Sequence, residues 1–345
     1  MEPVYYNADA VRRVLSWPLV NDAVEQALKA VINVKQPNEA GAYVDQPARI
    51  VTKADPSKLL LAMPAFVGNY KLSGEASSTN SLACKLVTSF SSNQQRKPPL
   101  PSVAAHIMLF DVDTGELSAI MAGTDITTWR TVAASIVATK YLYLRRFAEE
   151  RALHVAIVGC GVQGQLHARA MCANFKVQQL SLYNRTTAKA TQLAKQLAAE
   201  FAQTQIEVCA TAAEAVQQAD VICVATYADV ALFAAKDLRA SRAVHINAVG
   251  AGEVAFGEIA ADIYAESLVY VDSMENAAKE LQDLPAPIVA AVGSVILQQN
   301  YPAANALTIF QSMGKHILSL SLFLLDSLTY FRRDGFRRCL RRRSS

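Results

Sequence analysis

The run VAIVGCGVQGQLHARA, residues 155–170, constrains the fold of this chain more than any other stretch. An apolar segment, LHVAIV, leads into Gly159-Cys160-Gly161-Val162-Gln163-Gly164, and a helical pattern follows at once. A strand that passes into a helix through GxGxxG opens a dinucleotide-binding βαβ unit. Gly159 permits the tight turn, Gly161 lets a pyrophosphate approach the backbone, and Gly164 lets the helix pack closely on the sheet. The free N–H groups at the helix start would face the phosphates. A tight turn without a ligand is the plainer reading of three glycines; the strand-turn-helix setting favours the nucleotide site.

The next strand selects the cofactor. It ends in SLYNRT, residues 181–186, where an NAD site would carry an acid to accept hydrogen bonds from the ribose 2′-hydroxyl. Here the place is held by Asn184-Arg185-Thr186, and no Asp or Glu occurs from Arg151 through Ala199. A 2′-phosphate is attracted by Arg185 and would be repelled by an acid. NADPH is therefore expected, with NADH bound more weakly. The alternative is a solvated arginine ahead of a Thr-capped helix.

After Glu149-Glu150 strands are expected at 153–158, 179–183, 206–209, 220–225, 243–249 and 268–272. Helices are expected at 162–174, 187–202 and 211–218. This alternation implies parallel strands with crossover helices. The earlier residues read differently. Helical pieces over 7–34 break at Pro18, and short β-like runs lie within 48–66 and 82–90. A proline-rich loop covers 91–101, a hairpin over 106–123 turns at Asp113-Thr114-Gly115, and a helix spans 130–144. The expected fold class is α/β: an NAD(P)-binding Rossmann domain over 140–300, and a mixed α+β substrate and dimerisation domain from 1–128 with 305–345.

A chain of 345 residues, 52% hydrophobic, can fill two cores. Its net charge of +3 is uneven, because seven arginines and one aspartate follow position 331. Without them 26 basic face 29 acidic residues, which excludes a nucleic-acid-binding body. The start lacks an apolar signal core, and no uncharged apolar run is long enough to span a bilayer. The six cysteines (84, 160, 172, 209, 223 and 339) show no CxxC or metal-ligand spacing, so reduced thiols in a cytoplasmic protein are expected. ILSLSLFLLDSL, residues 317–328, reads as a core helix ahead of a solvated arginine tail, the alternative being a membrane-surface anchor.

Three cations in the first domain stand out. Lys85 lies within LACKLVTSF and shares a strand face with Val87 and Ser89. By spacing alone it is an edge lysine or one that snorkels to water. Arg130 follows Thr127-Thr128-Trp129 and is expected in the first turn of a helix, where the macrodipole disfavours a cation by ~0.3–1 kcal/mol unless an anion answers it. Asp125 or a ligand's carboxylate or phosphate could be that anion. Arg49, in DQPARIV, is by itself a surface arginine.

Taken together, QPAR (46–49), CKLVTSF (84–90), LFDVDTGELSAIMAG (109–123), WRTVAASIVATK (129–140), VGCGVQGQ (158–165), NRT (184–186) and HINAVGA (245–251) resemble the ornithine cyclodeaminase/mu-crystallin family, and within it the ketimine reductase branch. The resemblance runs from about residue 40 to Gly314. It implies that Arg49, Lys85 and Arg130 hold a substrate carboxylate beside the nicotinamide, with Lys85 also the catalytic proton donor or electrostatic partner. It implies further that Gly159, Gly161, Val162 and Gln163 serve the pyrophosphate, and Asn184, Arg185 and Thr186 the 2′-phosphate. Thr88, Arg130, Thr226 and Ser312 are implied to reach the cofactor, and Val249 the substrate. The implied activity is NADPH-dependent reduction of a small cyclic ketimine carboxylate by a homodimer. Two other readings stand beside it: an ornithine cyclodeaminase or amino-acid dehydrogenase, and a non-catalytic NADPH-dependent binder of an iodothyronine-like ligand.

The chain also departs from the family pattern. Cyclodeaminases carry an aspartate where this chain has Gly252, and the adjacent Glu253 is out of register, which favours the reductase branch. The stretch GEASSTNS before Lys85 and the residues after Gly314 do not match.

Overall fold

The computed structural model describes residues 2–33, 41–47, 49–241, 243–250 and 256–313. Gly252, Glu253 and the apolar and arginine-rich segments after Met313 lie outside these residues. The chain divides into two compact units, with the division falling after Arg130.

The first unit is built on a seven-stranded sheet. In chain order it comprises β1 (Val4–Tyr6), α1 (Ala8–Arg12), α2 (Trp17–Ala30), β2 (Tyr43–Asp45), β3 (Ile50–Asp55), β4 (Lys58–Tyr70), β5 (Thr79–Phe90), β6 (Val103–Phe110) and β7 (Leu117–Ala122). Helix α1 contacts β1 and β7, and α2 contacts β4. The strand order is β1-β7-β6-β5-β4-β2, with β3 also on β4. All pairs are antiparallel except β1 with β7. The first helical run is in two pieces as expected, with the break at residues 13–16; Pro18 itself lies in the first turn of α2, where its missing N–H costs nothing. The 106–123 hairpin forms as expected, and Gly115 takes the positive φ (75°) of its turn.

Strand alternation gives this sheet two unlike faces. Leu61, Met63, Ala65, Ala83, Val87 and Ile107 are buried on one. The residues between them, such as Leu60 and Leu86, are exposed or half-exposed on the other.

Helix α3 (Thr124–Leu142) begins six residues before the expected 130. The hydroxyl of Thr124 accepts from the Ala105 N–H, and the Thr127 N–H donates to the Gly123 carbonyl. These ties to the hairpin start the helix early, a tertiary anchor that propensity does not contain.

The second unit is an eight-stranded, wholly parallel sheet: β8 (Leu153–Val158), β9 (Val177–Tyr183), β10 (Gln205–Val208), β11 (Val221–Val224), β12 (His245–Ala248), β13 (Leu268–Val271), β14 (Ile288–Ala291) and β15 (Thr308–Gln311). Its order is β10-β9-β8-β11-β12-β15-β13-β14, so the winding reverses between β8 and β11. The helices are α4 (Val162–Asn174), α5 (Thr187–Glu200), α6 (Ala212–Val216), α7 (Ala261–Glu266), α8 (Met274–Glu280) and α9 (Val292–Gln298). The core is dominated by Ile157, Ile222, Ile246, Ile309 and Tyr264, all fully buried.

One expectation about organisation is corrected here. The stretch from 305 was expected to return to the first domain. Its described part does not: β15 inserts between β12 and β13 in the second sheet, pairing in parallel with both, while the remainder of that stretch, after Met313, lies outside the described residues. A four-residue strand buried at every position, Thr308 and Gln311 included, has no alternation to betray it.

Candidate functional site

In the first unit the chemistry gathers around Lys85. Strand β5 is central, so Lys85 is not an edge lysine: it pairs with Met63 on β4 and Ile107 on β6. Nor does it snorkel, since its relative exposure is 3%. Both plainer readings of its spacing are thereby excluded.

Arg130, 4% exposed, lies close enough that its charge acts on Lys85. Desolvation first, and Arg130 second, push the Lys85 ammonium well below the ordinary lysine range. Because α3 starts at Thr124, Arg130 is not in the first turn and the macrodipole argument for its oddity does not hold. Asp125, weighed as its partner, accepts from Arg12 at 3.0 Å.

Arg49 is half-buried just before β3. Ile50 pairs with Ala62, so Arg49 stands one register step on, toward Met63, which itself pairs with Lys85. The backbone thus brings Arg49 to the cross-strand row of Lys85. Thr88 is not brought there. It is three residues beyond Lys85 in the strand, hence on the opposite face, with its hydroxyl 3.5 Å from the Ala104 carbonyl.

In the second unit the glycine loop sits at the reversal of winding, where open α/β sheets bind ligands. Gly159 adopts φ +99°, and a Cβ there would come within 2.6 Å of the Ala225 carbonyl oxygen. A Cβ on Gly164 would overlap the Gly159 carbonyl, so this glycine is required by packing. Gly161, by contrast, has nothing within 4 Å of its absent Cβ and is exposed. Its openness is what close approach of a pyrophosphate requires. The adjacent Val162 is 73% exposed, and the buried side-chain oxygen Oε1 of Gln163 has no hydrogen-bond partner. These features fit a dinucleotide on the N-terminus of α4.

Asn184 has a further task. Its Oδ1 accepts the Cys160 N–H at 2.9 Å, and its amide donates to the Thr186 carbonyl at 3.0 Å. It therefore ties the glycine loop to the end of β9. Arg185 and Thr186 are exposed, and the Thr186 hydroxyl makes no capping bond to α5. Both are free to meet a 2′-phosphate.

The carboxyl ends of β11, β12 and β15 supply the rest. Thr226 follows β11, and its methyl packs against Gly159. Val249 follows β12 and is half-buried, its N–H bonded to the Val224 carbonyl at 2.9 Å. Ser312 follows β15, with its N–H on the Ala248 carbonyl at 3.0 Å and its buried hydroxyl unpartnered. An unpartnered buried hydroxyl is costly unless a ligand meets it.

Two buried groups escaped the sequence reading. Glu258 is 3% exposed and accepts a hydrogen bond from the Thr226 hydroxyl. His167 bridges the Gln163 carbonyl at 2.8 Å and the Ser135 hydroxyl at 2.9 Å, holding the first turn of α4. A histidine four residues after the loop glutamine was the available clue to the second; nothing local marks the first.

The model of the ornithine cyclodeaminase/mu-crystallin family matches residues 8–322. Ketimine reductase mu-crystallin of Rattus norvegicus is 31% identical over 323 residues, covering 92% of this chain and 94% of that protein. A Delta(1)-pyrroline-2-carboxylate reductase of Bacillus cereus is 31% identical over 258 residues, 71% of this chain and 76% of that protein. The solved structure of the Thermococcus litoralis Delta(1)-pyrroline-2-carboxylate reductase, in complex with NADH and L-proline, superposes with a TM-score of 0.77 at 25% identity, covering 96% of this chain and 98% of that one. With the glycine loop, the buried Lys85 and the Asn-Arg-Thr strand end in place, the chain belongs to the ornithine cyclodeaminase/mu-crystallin family.

Proposed function

We propose that this protein is an NADPH-dependent reductase of the C=N bond in small cyclic ketimine carboxylates. The observation that carries the reading is the burial of Lys85 in the middle of the first sheet, near enough to the buried Arg130 of α3 to feel its charge. Two like charges removed from water favour an anion strongly, and a carboxylate is the anion that a cyclic imino acid brings.

Arg130, with Arg49 from the same cross-strand row, would hold the carboxylate and orient the ring. Arginine suits this task because its planar fork meets a carboxylate in two bonds. Lys85 would give a proton to the imine nitrogen, leaving the carbon electrophilic. Burial and the neighbouring arginine lower its pKa, which makes it a better donor near neutrality than an ordinary lysine. When bound, the reduced nicotinamide supplies the hydride to that carbon. In the second unit the glycine loop takes the pyrophosphate, Arg185 and Thr186 take the 2′-phosphate, and Val249, Thr226 and Ser312 border the nicotinamide end.

Supporting relatives are a ketimine reductase and a pyrroline-2-carboxylate reductase, and the latter activity has a structure with NADH and L-proline. Gly252 in place of the cyclodeaminase aspartate disfavours ornithine cyclisation. We further propose a homodimer through the outer face of the first sheet, where Ile50, Leu60, Pro64, Phe66, Leu86 and Met108 leave apolar surface exposed or half-exposed. A cytoplasmic location accords with the free cysteines among the described residues, and none of the described helices is long and apolar enough to cross a membrane.

Substitution of Lys85 by Met tests the reading. The variant should bind NADPH as the wild type does and lose ketimine reduction by on the order of 10²-fold, the scale of an acid–base group. Reduction at the wild-type rate would remove Lys85 from the chemistry. A wild-type protein that binds NADPH and an iodothyronine but turns over no cyclic ketimine would establish the non-catalytic binder instead.

A further inference from the structure

Glu258 has no part in the chemistry above, yet it is a carboxyl group 3% exposed at the carboxyl ends of β11 and β12. Burial raises the pKa of its carboxyl group, an effect partly offset by the Thr226 hydroxyl, which donates to Oε1, and by the backbone N–H groups of Ala228 and Thr226. The Thr226 hydroxyl in turn accepts the Ala228 N–H at 3.2 Å. On its other side the carboxylate fills the space beside Gly250, where any Cβ would overlap both of its oxygens. The methyl of Thr226 lies 2.7 Å from where a Cβ of Gly159 would stand. A continuous line of contact therefore runs from Gly250, one residue past Val249, through Glu258 and Thr226 to the first glycine of the phosphate loop.

We propose that Glu258 is a positioning residue that clamps the β11 turn and the end of β12 against the glycine loop, and so sets the geometry in which the dinucleotide is held. The carboxylate is suited to this because it accepts several donors at once from a turn that would otherwise leave them unpaired in a dry site. Gly250 is required because only a residue without a side chain admits the carboxylate. The inference rests on the dinucleotide reading of the second unit and is independent of which imine is reduced.

The test is a double-mutant cycle on E258A and G250A, with NADPH affinity measured by titration calorimetry in the absence of any imine. Losing hydrogen bonds to a charged group predicts that E258A weakens NADPH about tenfold. G250A, which keeps Glu258 but displaces it, should weaken NADPH to a similar degree. The double variant should be no worse than either single one, because both break one contact. E258Q keeps the volume and one acceptor oxygen and should recover most of the affinity. In turnover the KM for NADPH should rise while the KM for the imine holds; a variant merely losing folded protein would lower the rate at unchanged KM. Should E258A fail to fold, G250A and E258Q carry the same comparison. Wild-type affinity in folded G250A or E258A, or additive losses in the double variant, would overturn the clamp. Absence of imine turnover in the wild type would defeat the proposed reaction and leave this result standing.

Discussion

Replacing Lys85 by Met should stabilise the protein when no ligand is bound. Lys85 is 3% exposed, pairs with Met63 and Ile107, and feels the charge of Arg130. Methionine has similar length and suits an apolar row. Exchanging buried charged groups for well-packed apolar side chains ranges from neutral to a gain of about 1–4 kcal/mol. At roughly 2–4 °C per kcal/mol, the first unit should melt several degrees higher. Both tryptophans, Trp17 and Trp129, lie in this unit and stack at 4.2 Å, so tryptophan fluorescence follows its unfolding. The pH dependence gives a second handle. In the unfolded chain Lys85 takes its proton below about 10.5, whereas the folded environment resists it. The unfolded state then binds more protons, so the wild type loses stability as pH falls from that value toward the depressed folded pKa. The advantage of K85M should be largest near neutrality and vanish at high alkaline pH. A variant that melts at or below the wild type at pH 7, ligand-free, would show that Lys85 has a stabilising partner and refute the reasoning.

Further consequences follow from the second unit. R185A should weaken NADPH by about 1.5–3 kcal/mol and leave NADH nearly unchanged, as read by paired titrations; equal losses would remove Arg185 from the 2′-phosphate. Gly164→Ala should fail to yield folded protein by circular dichroism. Gly161→Ala, with open space at its Cβ, should fold normally and bind NADPH at least about tenfold more weakly, because its methyl enters the pyrophosphate's approach. His167 is fully buried with its pKa pushed down to about 4, so it stays neutral in the fold while the unfolded residue protonates near 6.5. Stability should therefore fall as pH drops from 6.5 toward 4, by about 3 kcal/mol from this residue, and H167Q should show a shallower slope in urea unfolding.

The Rossmann half was legible because its signals are local. LHVAIV followed by GxGxxG placed β8 and α4 closely, since a glycine-bounded strand and a helix start are written in adjacent residues. The strands β14 and β15 were not legible: each is four residues, with no polar alternation, and their place in the sheet is set by long-range parallel pairing. The start of α3 depended on bonds from Thr124 and Gly123 to Ala105, which spacing cannot reveal. Lys85 was marked by its residue type, but its centrality required knowing that β5 lies between β4 and β6. Asn184 was noticed as part of the strand-end triplet, while its bond to the Cys160 N–H is visible only in three dimensions. Glu258 was passed over because its partners, Thr226 and Gly250, lie on neighbouring strand ends rather than in its own sequence window.

The central claim is that a carboxylate-bearing cyclic imine is the substrate and that Arg130, with Arg49, recognises its carboxylate. The most direct measurement compares kcat/KM for a cyclic ketimine carboxylate with that for the same ring lacking the carboxylate, following NADPH oxidation by the wild type. The account predicts steady turnover of the carboxylate and a loss of at least about 10²-fold for its decarboxylated counterpart, the scale of a charged pair left unmet. Equal rates for the two rings, or no NADPH oxidation with any cyclic ketimine carboxylate, would contradict it.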